Sequence, residues 1–379
     1  MPAMSERMEK PADSSPVLPR RGRFRRIGVS VVSGLVLVVV FMALPGCYLA
    51  RLGIGQLRVS WGQRLIGALL EEGALPADRL EALRLIDAIR RFGVDALGMD
   101  AGTSYTTYYD TGGCPVMYNV TASRADRLEA VTWWFPIAGT VAYKGFFSRE
   151  DAVRERDYLE RLGYDTLLSP VTAYSTLGWF RDPVLSTMLD DPPEVLAELI
   201  LHEMTHATVY APGQTDFNEE LATVVGRAAA TAFFVSREGP DGPTVRRQRA
   251  RRADKARFGA WLRETRDALD AFYAGAGSAA EKRSGREALF AAARRRFADL
   301  VPSFETNAYA GFSRLPLNNA VILGLGRYNE MDDLLVRAEA KAGGVRELLR
   351  LARGWAGEPN PRAAVEAWLS SGRAAKAPS

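Results

Sequence analysis

The sequence ILHEMTHATVYAPGQTDFNEELATVVG, at positions 200–226, contains the only two histidines of this chain. His202 and His206 are four residues apart, and Glu203 follows the first of them. Because an α-helix places positions i and i+4 on one face, both imidazoles can reach the same metal ion. Glu203 is rotated by about 100° from His202, so its carboxylate can contact a water on that ion. The spacing predicts a metal site on a helix; the alternative is two surface histidines on an ordinary amphipathic helix.

The residues around this pair predict two helices joined by a short turn. The sequence DDPP at 190–193 supplies an acid suited to the N-cap and a proline suited to the first turn. No helix breaker follows until PG at 212–213, and apolar residues recur at helical spacing to bury one flank. Positions 213–225 then predict a turn and a second helix that folds back against the first.

A catalytic zinc site needs a third protein ligand, and the chain has no third histidine. We expect an acid of the second helix in this role, with Glu219 as the first candidate and Glu220 as the second. The alternative role of Glu219 is helix capping, because Asp216 followed by Glu219 matches a capping box. Glu198, one helical turn before His202, is either an acceptor that orients an imidazole or a solvated charge.

Positions 200–226 resemble a bacterial family of predicted aminopeptidases, whose pattern is H-E-x-x-H, a short loop and F-N-E-x-x-A. The resemblance extends over about 47–335, which is most of the chain. Further segments similar to those of the family are WWFPIAGTVAYKGFF at 133–147, AYSTLGWFRDPVLSTML at 173–189, and PLNNA at 316–320 followed by Tyr328.

This family belongs with the glutamate-type zincins, and the resemblance has implications for fold and activity. It implies an α+β, zincin-like metallopeptidase, with a mixed or antiparallel sheet beside the HExxH helix and a mainly helical C-terminal part. It implies one zinc ion per chain, bound by His202, His206 and Glu219, with Glu203 as the catalytic carboxylate. The implied activity is hydrolysis of peptide bonds, as an aminopeptidase acting on peptide substrates.

A tetrahedral oxyanion in such a reaction needs a hydrogen-bond donor besides the metal. Since no histidine is left, a tyrosine is the natural candidate, with Tyr328 first and Tyr174 second. A structural role in the core is the alternative for both. We expect positions 174–179 to form an edge strand beside the cleft, where an extended peptide would pair with it.

Periodicity elsewhere predicts a helix-rich chain with strands in its first half. The expected strands lie at 105–121, 131–143 and 164–180. The expected helices lie at 64–97 with a break at 73–76, at 151–162, at 245–300 with a turn at 275–278, at 346–355 and at 361–370. The basic runs at 246–252 and 294–296 are interpreted as solvated helix faces.

The N-terminus has the pattern of an export signal. Residues 1–26 carry seven basic and three acidic side chains, and residues 27–46 carry no charge. The net charge of +4 therefore belongs to this segment and gives no reason to expect a nucleic-acid partner. The apolar run at 27–44 ends in Leu-Pro-Gly-Cys47, which resembles a bacterial lipobox. An uncleaved signal anchor is the alternative, since the run is about long enough to span a bilayer.

These observations predict three parts: a lipoprotein signal peptide at 1–46, an N-terminal helix and β-rich part at 47–190, and zinc-binding and further helices at 191–379. Lipidation at Cys47 would place the protein in the bacterial cell envelope, facing the periplasm and held by the inner or outer membrane. Cys114 would then have no disulfide partner, and we expect it to be a small buried core residue. The alternative functions are a non-catalytic lipoprotein scaffold that keeps a metal site, and a hydrolase of amides in the cell wall.

Overall fold

The computed structural model describes residues 48–100, 102–135, 139–171, 182–329 and 333–371, with no side-chain description for 327–329. Contacts divide the chain into two units, 1–54 and 55–379. The described part of the first unit, 48–54, is helical and begins helix α1 (Tyr48–Trp61). Cys47, the apolar run at 27–44 and Tyr174 all lie outside the described residues. No helix in the described ranges is both long and apolar enough to cross a membrane.

The second unit is built mainly from helices, and most of them fall where the sequence patterns predicted. The predicted break at 73–76 separates α2 from α3, and the predicted turn at 275–278 separates α7 from α8. The helices after α1 are α2 (Ile66–Glu72), α3 (Ala77–Leu97), α4 (Arg149–Arg161), α5 (Pro193–Thr208), α6 (Thr215–Glu238), α7 (Pro243–Ala274), α8 (Ala279–Leu300), α9 (Asn319–Asn329), α10 (Asp333–Ala342), α11 (Val345–Trp355) and α12 (Pro361–Ser370).

The strands form three small sheets among the described residues. Strands β1 (Arg64–Leu65), β2 (Thr107–Tyr109) and β8 (Val184–Leu185) make a mixed sheet in the order β1–β2–β8. An antiparallel sheet has the order β6–β3–β7, with β3 at Met117–Arg124, β6 at Lys144–Phe146 and β7 at Tyr164–Val171. Strands β4 (Trp133–Phe135) and β5 (Gly139–Val141) form a two-stranded antiparallel sheet.

The main core surrounds α5, the helix that carries the histidine pair. The elements packed most extensively against α5 are α6 and α3, followed by α7. Leu201 and Met204 of α5 are buried in this core, and the β1–β2–β8 sheet contributes Val184 and Leu185 to it. The α+β class is therefore confirmed as a mixture of helices and small sheets. The immediate surroundings of the HExxH helix are mainly helical.

A second core lies between α7, α8 and α9, and the PLNNA segment joins it to the β6–β3–β7 sheet. Arg286 of α8 forms a two-pronged ion pair with Asp165 of β7, at 2.5 and 2.8 Å. Asp165 also accepts the backbone N–H of Asn319 at 2.9 Å, and Asn318 donates to the carbonyl of Thr166 at 2.9 Å. This segment therefore has a structural role, since its side chains link a helix start to a strand.

Two local expectations are wrong. No acid caps α5, because the helix begins at Pro193 with Pro192 in the N-cap position and no side-chain hydrogen bond there. Proline lacks an N–H group and favours an extended residue before it, so the two prolines together set the helix start. Cys114 is exposed rather than buried. It follows Gly112 and Gly113, whose positive φ angles of 65° and 77° make a tight turn at the surface.

Candidate metal centre

Helices α5 and α6 form a hairpin whose connection is fixed by one buried side chain. The Oδ1 atom of Asn218 accepts the backbone N–H of Ala211 at 2.8 Å, and its Nδ2 atom donates to the carbonyl of Ala211, also at 2.8 Å. The side chain of Asn218 thus satisfies both backbone polar groups of Ala211, as a neighbouring strand would in a sheet. Because Glu219 directly follows Asn218, these two hydrogen bonds fix the position of the Glu219 carboxylate relative to α5.

The structure brings His202, His206 and Glu219 together. The Nε2 atoms of the two histidines are 3.2 Å apart. The Oε2 atom of Glu219 lies 3.5 Å from Nε2 of His202, and its Oε1 atom lies 3.4 Å from Nε2 of His206. One nitrogen from each histidine and one carboxylate oxygen lie within 4.8 Å of one another. Three donors in this arrangement are compatible with a shared metal ion.

The site is buried on one side and open on the other. The side chain of His206 is 9% exposed, whereas that of Glu219 is 53% exposed. Burial lowers the pKa of His206, His202 lowers it further, and the charge of Glu219 opposes both. A hydrogen bond from His202 lowers the pKa of Glu219, against the effect of burial, and the charges of His206 and His202 add to the lowering. A neutral imidazole and an ionised carboxylate are the protonation states that bind metals.

The other acids considered from the sequence lie elsewhere. Glu220 is not placed to be a ligand, because its Oε2 atom accepts a hydrogen bond from Nη1 of Arg362 at 2.5 Å. The capping box is also wrong, since Gln214 is the N-cap of α6 and Asp216 is already inside the first turn. Glu198 makes no hydrogen bond to His202 or His206 and instead lines a cavity beside the site.

Glu203 is half-buried on α5 and has a buried tyrosine near it that sequence reasoning missed. Burial raises the pKa of the Tyr105 phenol well above its ordinary value, and the charges of Glu203 and Asp182 raise it further. The hydroxyl of Tyr105 has no hydrogen-bond partner among the described residues. Tyr105 also has φ of 58°, a left-handed conformation that is uncommon for a bulky residue. No pattern in the sequence marks it, because both features arise from how the chain is folded.

The two tyrosines predicted as oxyanion donors are not tested by the geometry. Tyr174 lies outside the described residues. Tyr328 belongs to α9, but its side chain is among those without a description. Both therefore stay predictions, as does the edge strand expected at 174–179.

A mixed fold of helices and small sheets, with a two-histidine, one-carboxylate site on a helical hairpin, defines the class as a candidate metalloprotein. The family profile described as "Putative aminopeptidase" matches residues 47–356. Since this match covers most of the 379 residues, the chain belongs to that family. No curated protein and no solved structure matches the chain.

Proposed function

We propose that this protein is a zinc-dependent peptide hydrolase of the zincin type that acts as an aminopeptidase. The observation that carries the proposal is the convergence of His202, His206 and Glu219 beside Glu203 on one helical hairpin. Membership of the putative aminopeptidase family supports peptides as the substrate class.

The donor set fits a catalytic zinc better than a structural one. Structural zinc sites close all four positions with cysteine or histidine, whereas catalytic sites use three protein ligands and keep one position for water. The chain has no further histidine, and its Cys114 is exposed outside the site. A bound zinc ion would polarise the scissile carbonyl and lower the pKa of a water. This donor chemistry disfavours the alternative of a non-catalytic scaffold.

The chain itself supplies the proton transfer. Glu203 accepts a proton from the attacking water and passes it to the leaving amine. The buried phenol of Tyr105, whose pKa the charge of Glu203 raises, stays protonated near this carboxylate. Tyr328 and Tyr174 are the proposed donors to the oxyanion.

We also propose that Cys47 is lipidated and that the catalytic unit faces the periplasm of a bacterial envelope. Support comes from the basic N-terminal segment, the uncharged apolar run and the sequence Leu-Pro-Gly before Cys47. The family match begins at position 47, so the region shared with the family starts at this cysteine.

The test of the peptidase proposal is Glu203→Gln, which is nearly isosteric and removes the proton acceptor. The variant should keep its zinc and lose about 10²-fold or more of its peptide hydrolysis, the usual scale for a general base. Glu71→Gln, at an exposed glutamate of α2, is the matched control and should change neither quantity. Loss of zinc from Glu203→Gln would make Glu203 a ligand or structural residue. Unchanged hydrolysis would favour the scaffold.

A further inference from the structure

A cavity of about 690 Å³ opens next to His202 and Glu203, between α5, α6 and α7. One wall is the face of α5 that carries Glu198 and His202, one helical turn apart. The opposite wall is the face of α7. A substrate whose scissile bond lies at the metal centre therefore has space to extend along this cavity.

The lining of the cavity is strongly cationic. Among the described residues that line it, the acids are Glu198 and Glu203, whereas α6 and α7 supply five basic side chains: Arg227, Arg251, Arg252, Lys255 and Arg263. The basic run at 246–252 was interpreted from the sequence as a solvated face. That interpretation is wrong for Arg252, which is half-buried and hydrogen-bonded to α6, whereas Arg251 of the same run lines the cavity.

Three of these cations are not held by a hydrogen bond or a close ion pair in the described part of the protein. Arg252 is used structurally, since its Nη2 atom donates to the carbonyl of Arg227 at 2.9 Å and to Thr231 at 2.6 Å. Arg251, Lys255 and Arg263 have no hydrogen bond or ion pair with another described residue. Burial lowers the pKa of Lys255, the charge of Arg227 lowers it further, and the charge of Glu198 opposes both. The five basic side chains outnumber the two acids of the lining, Glu198 and Glu203, so positive charge is in excess, and a bound anion would relieve the repulsion among the cations.

A buried amide in the same cavity also lacks its partners. Gln248 lines the cavity and is 1% exposed. Neither its Nε2 nor its Oε1 atom has a hydrogen-bond partner among the described residues. Buried amide groups are normally hydrogen-bonded, so an unpaired one beside a cavity indicates a place for a polar ligand group.

We propose that this cavity is a carboxylate-binding subsite and that the preferred substrates are acidic peptides. The proposal rests on the proposed peptidase function and names its substrate class. Guanidinium and ammonium groups bind carboxylates through charge-assisted hydrogen bonds, and the Nε2 atom of Gln248 can add a neutral donor. The ammonium of a lysine side chain would be repelled here. The carboxylate can belong to an aspartate or glutamate side chain or to a peptide C-terminus.

The experiment compares peptides of one sequence that differ at a single position, with glutamate, glutamine or lysine there and with a free or amidated C-terminus. The full-length chain should hydrolyse the glutamate peptide about 10- to 100-fold faster in kcat/KM than the glutamine peptide, the scale of hydrogen bonds to a charged group. The lysine peptide should be slowest. If glutamate is still preferred over glutamine in the amidated peptides, the subsite binds side-chain carboxylates. If peptides with a free C-terminus are preferred over amidated ones whatever the varied residue, it binds the terminal carboxylate.

Variants of the cavity wall test the residues. Lys255→Gln and Arg263→Gln should each reduce the glutamate preference, and Lys255→Glu should abolish or reverse it without changing zinc content. Arg266→Gln is the matched control, since Arg266 lies on the same helix outside the cavity and pairs with Asp270 at 3.8 Å. Because Arg263 is exposed, Arg263→Gln should fold, and it tests the subsite if Lys255→Glu does not fold. Equal hydrolysis of the three peptides by the wild-type chain would overturn the subsite and leave the peptidase function standing.

A second measurement separates the subsite from the peptidase function. If no peptide is hydrolysed, the proposed function fails. Binding of fluorescently labelled glutamate and glutamine peptides to the full-length wild type and to Lys255→Glu is then measured instead. Weaker binding to Lys255→Glu, with the glutamine peptide unaffected, would support the subsite. Equal binding of both peptides to both proteins would overturn it.

Discussion

Gly226 of α6 lies directly against the backbone of His202 in α5. A β-carbon at position 226 would be 2.9 Å from the backbone nitrogen of His202 and 2.9 Å from the carbonyl oxygen of Glu198. Both atoms belong to a helix backbone, which cannot rotate away as a side chain does. The two helices that carry the candidate ligands therefore pack at this distance because residue 226 has no side chain.

Gly226→Ala should push α6 away from α5. The expected cost is about 1–3 kcal/mol of unfolding free energy, typical of overpacking, together with weaker zinc binding because Glu219 moves from the histidines. Chemical denaturation and a zinc titration measure the two effects. Gly354→Ala is the control, since nothing lies within 4 Å of a β-carbon there. This helical position should be neutral or more stable as alanine, and equal losses in both variants would contradict the argument.

Glu219→Gln should lower zinc affinity, because it removes the charge and one ligand oxygen from the centre. Mutating a residue that only hydrogen-bonds to a metal ligand typically lowers metal affinity roughly 10- to 100-fold. Glu219→Gln should lower zinc affinity by more than this. Glu220→Gln is the neighbouring control. It weakens the pair with Arg362 and should leave zinc affinity unchanged. Competition with a chelator measures both affinities, and the reverse order would make Glu220 the ligand.

Asp254→Asn should make the free energy of unfolding less dependent on pH in the acidic range. The carboxylate of Asp254 is buried and accepts the backbone N–H groups of Glu305 and Thr306 at 2.9 and 2.8 Å. Burial raises its pKa, but these hydrogen bonds and those from Thr306 and Arg257 outweigh it, so the pKa is lowered overall.

A lowered folded-state pKa stabilises the protein above the unfolded value of about 4, and this stabilisation is lost as the pH falls through the folded value. The wild type should therefore lose stability below about pH 4 more steeply than Asp254→Asn. At neutral pH the variant should be less stable by about 1–3 kcal/mol. Urea denaturation between neutral and acidic pH measures both. Asp299→Asn, at an exposed site, should behave like the wild type, and parallel curves for Asp254→Asn would contradict the prediction.

Cys47→Ser should abolish lipid attachment. Radioactive palmitate should label the wild-type chain and the Cys114→Ser control, whereas Cys47→Ser should stay unlabelled and keep its N-terminal segment. The reason is that the acylated group is the thiol of the cysteine that ends the Leu-Pro-Gly-Cys sequence. A labelled Cys47→Ser variant, or a wild type that retains residues 1–46, would indicate a signal anchor instead.

The candidate metal centre was predictable because its parts are close in sequence. The positions of His202 and His206 follow from helix periodicity, and the short turn before α6 limits the third donor to the next few residues. The choice between Glu219 and Glu220 was harder, because it depends on where α6 begins. That start is set by the hydrogen bonds between Asn218 and Ala211, which no periodicity reports.

The cavity was not predictable because it joins elements far apart in the sequence. Gln248 and Lys255 stand beside Glu198 only because α7 packs across α5, and the sequence of α7 alone has the composition of a solvated helix. Cys114 was misjudged for a related reason. Cysteine is usually buried, but the glycine turn before it decides its exposure.

The hydrogen bonds between Asn218 and Ala211 also bear on the order in which parts of the chain fold. All three candidate ligands belong to one hairpin, so closing the loop between them has a small entropic cost. The cavity, by contrast, requires α7 to dock against α5. If both proposals hold, metal binding would depend on the hairpin and substrate recognition on the docking of α7, and the two parts could open independently. Amide hydrogens of the hairpin would gain protection on metal loading before those of α7 do.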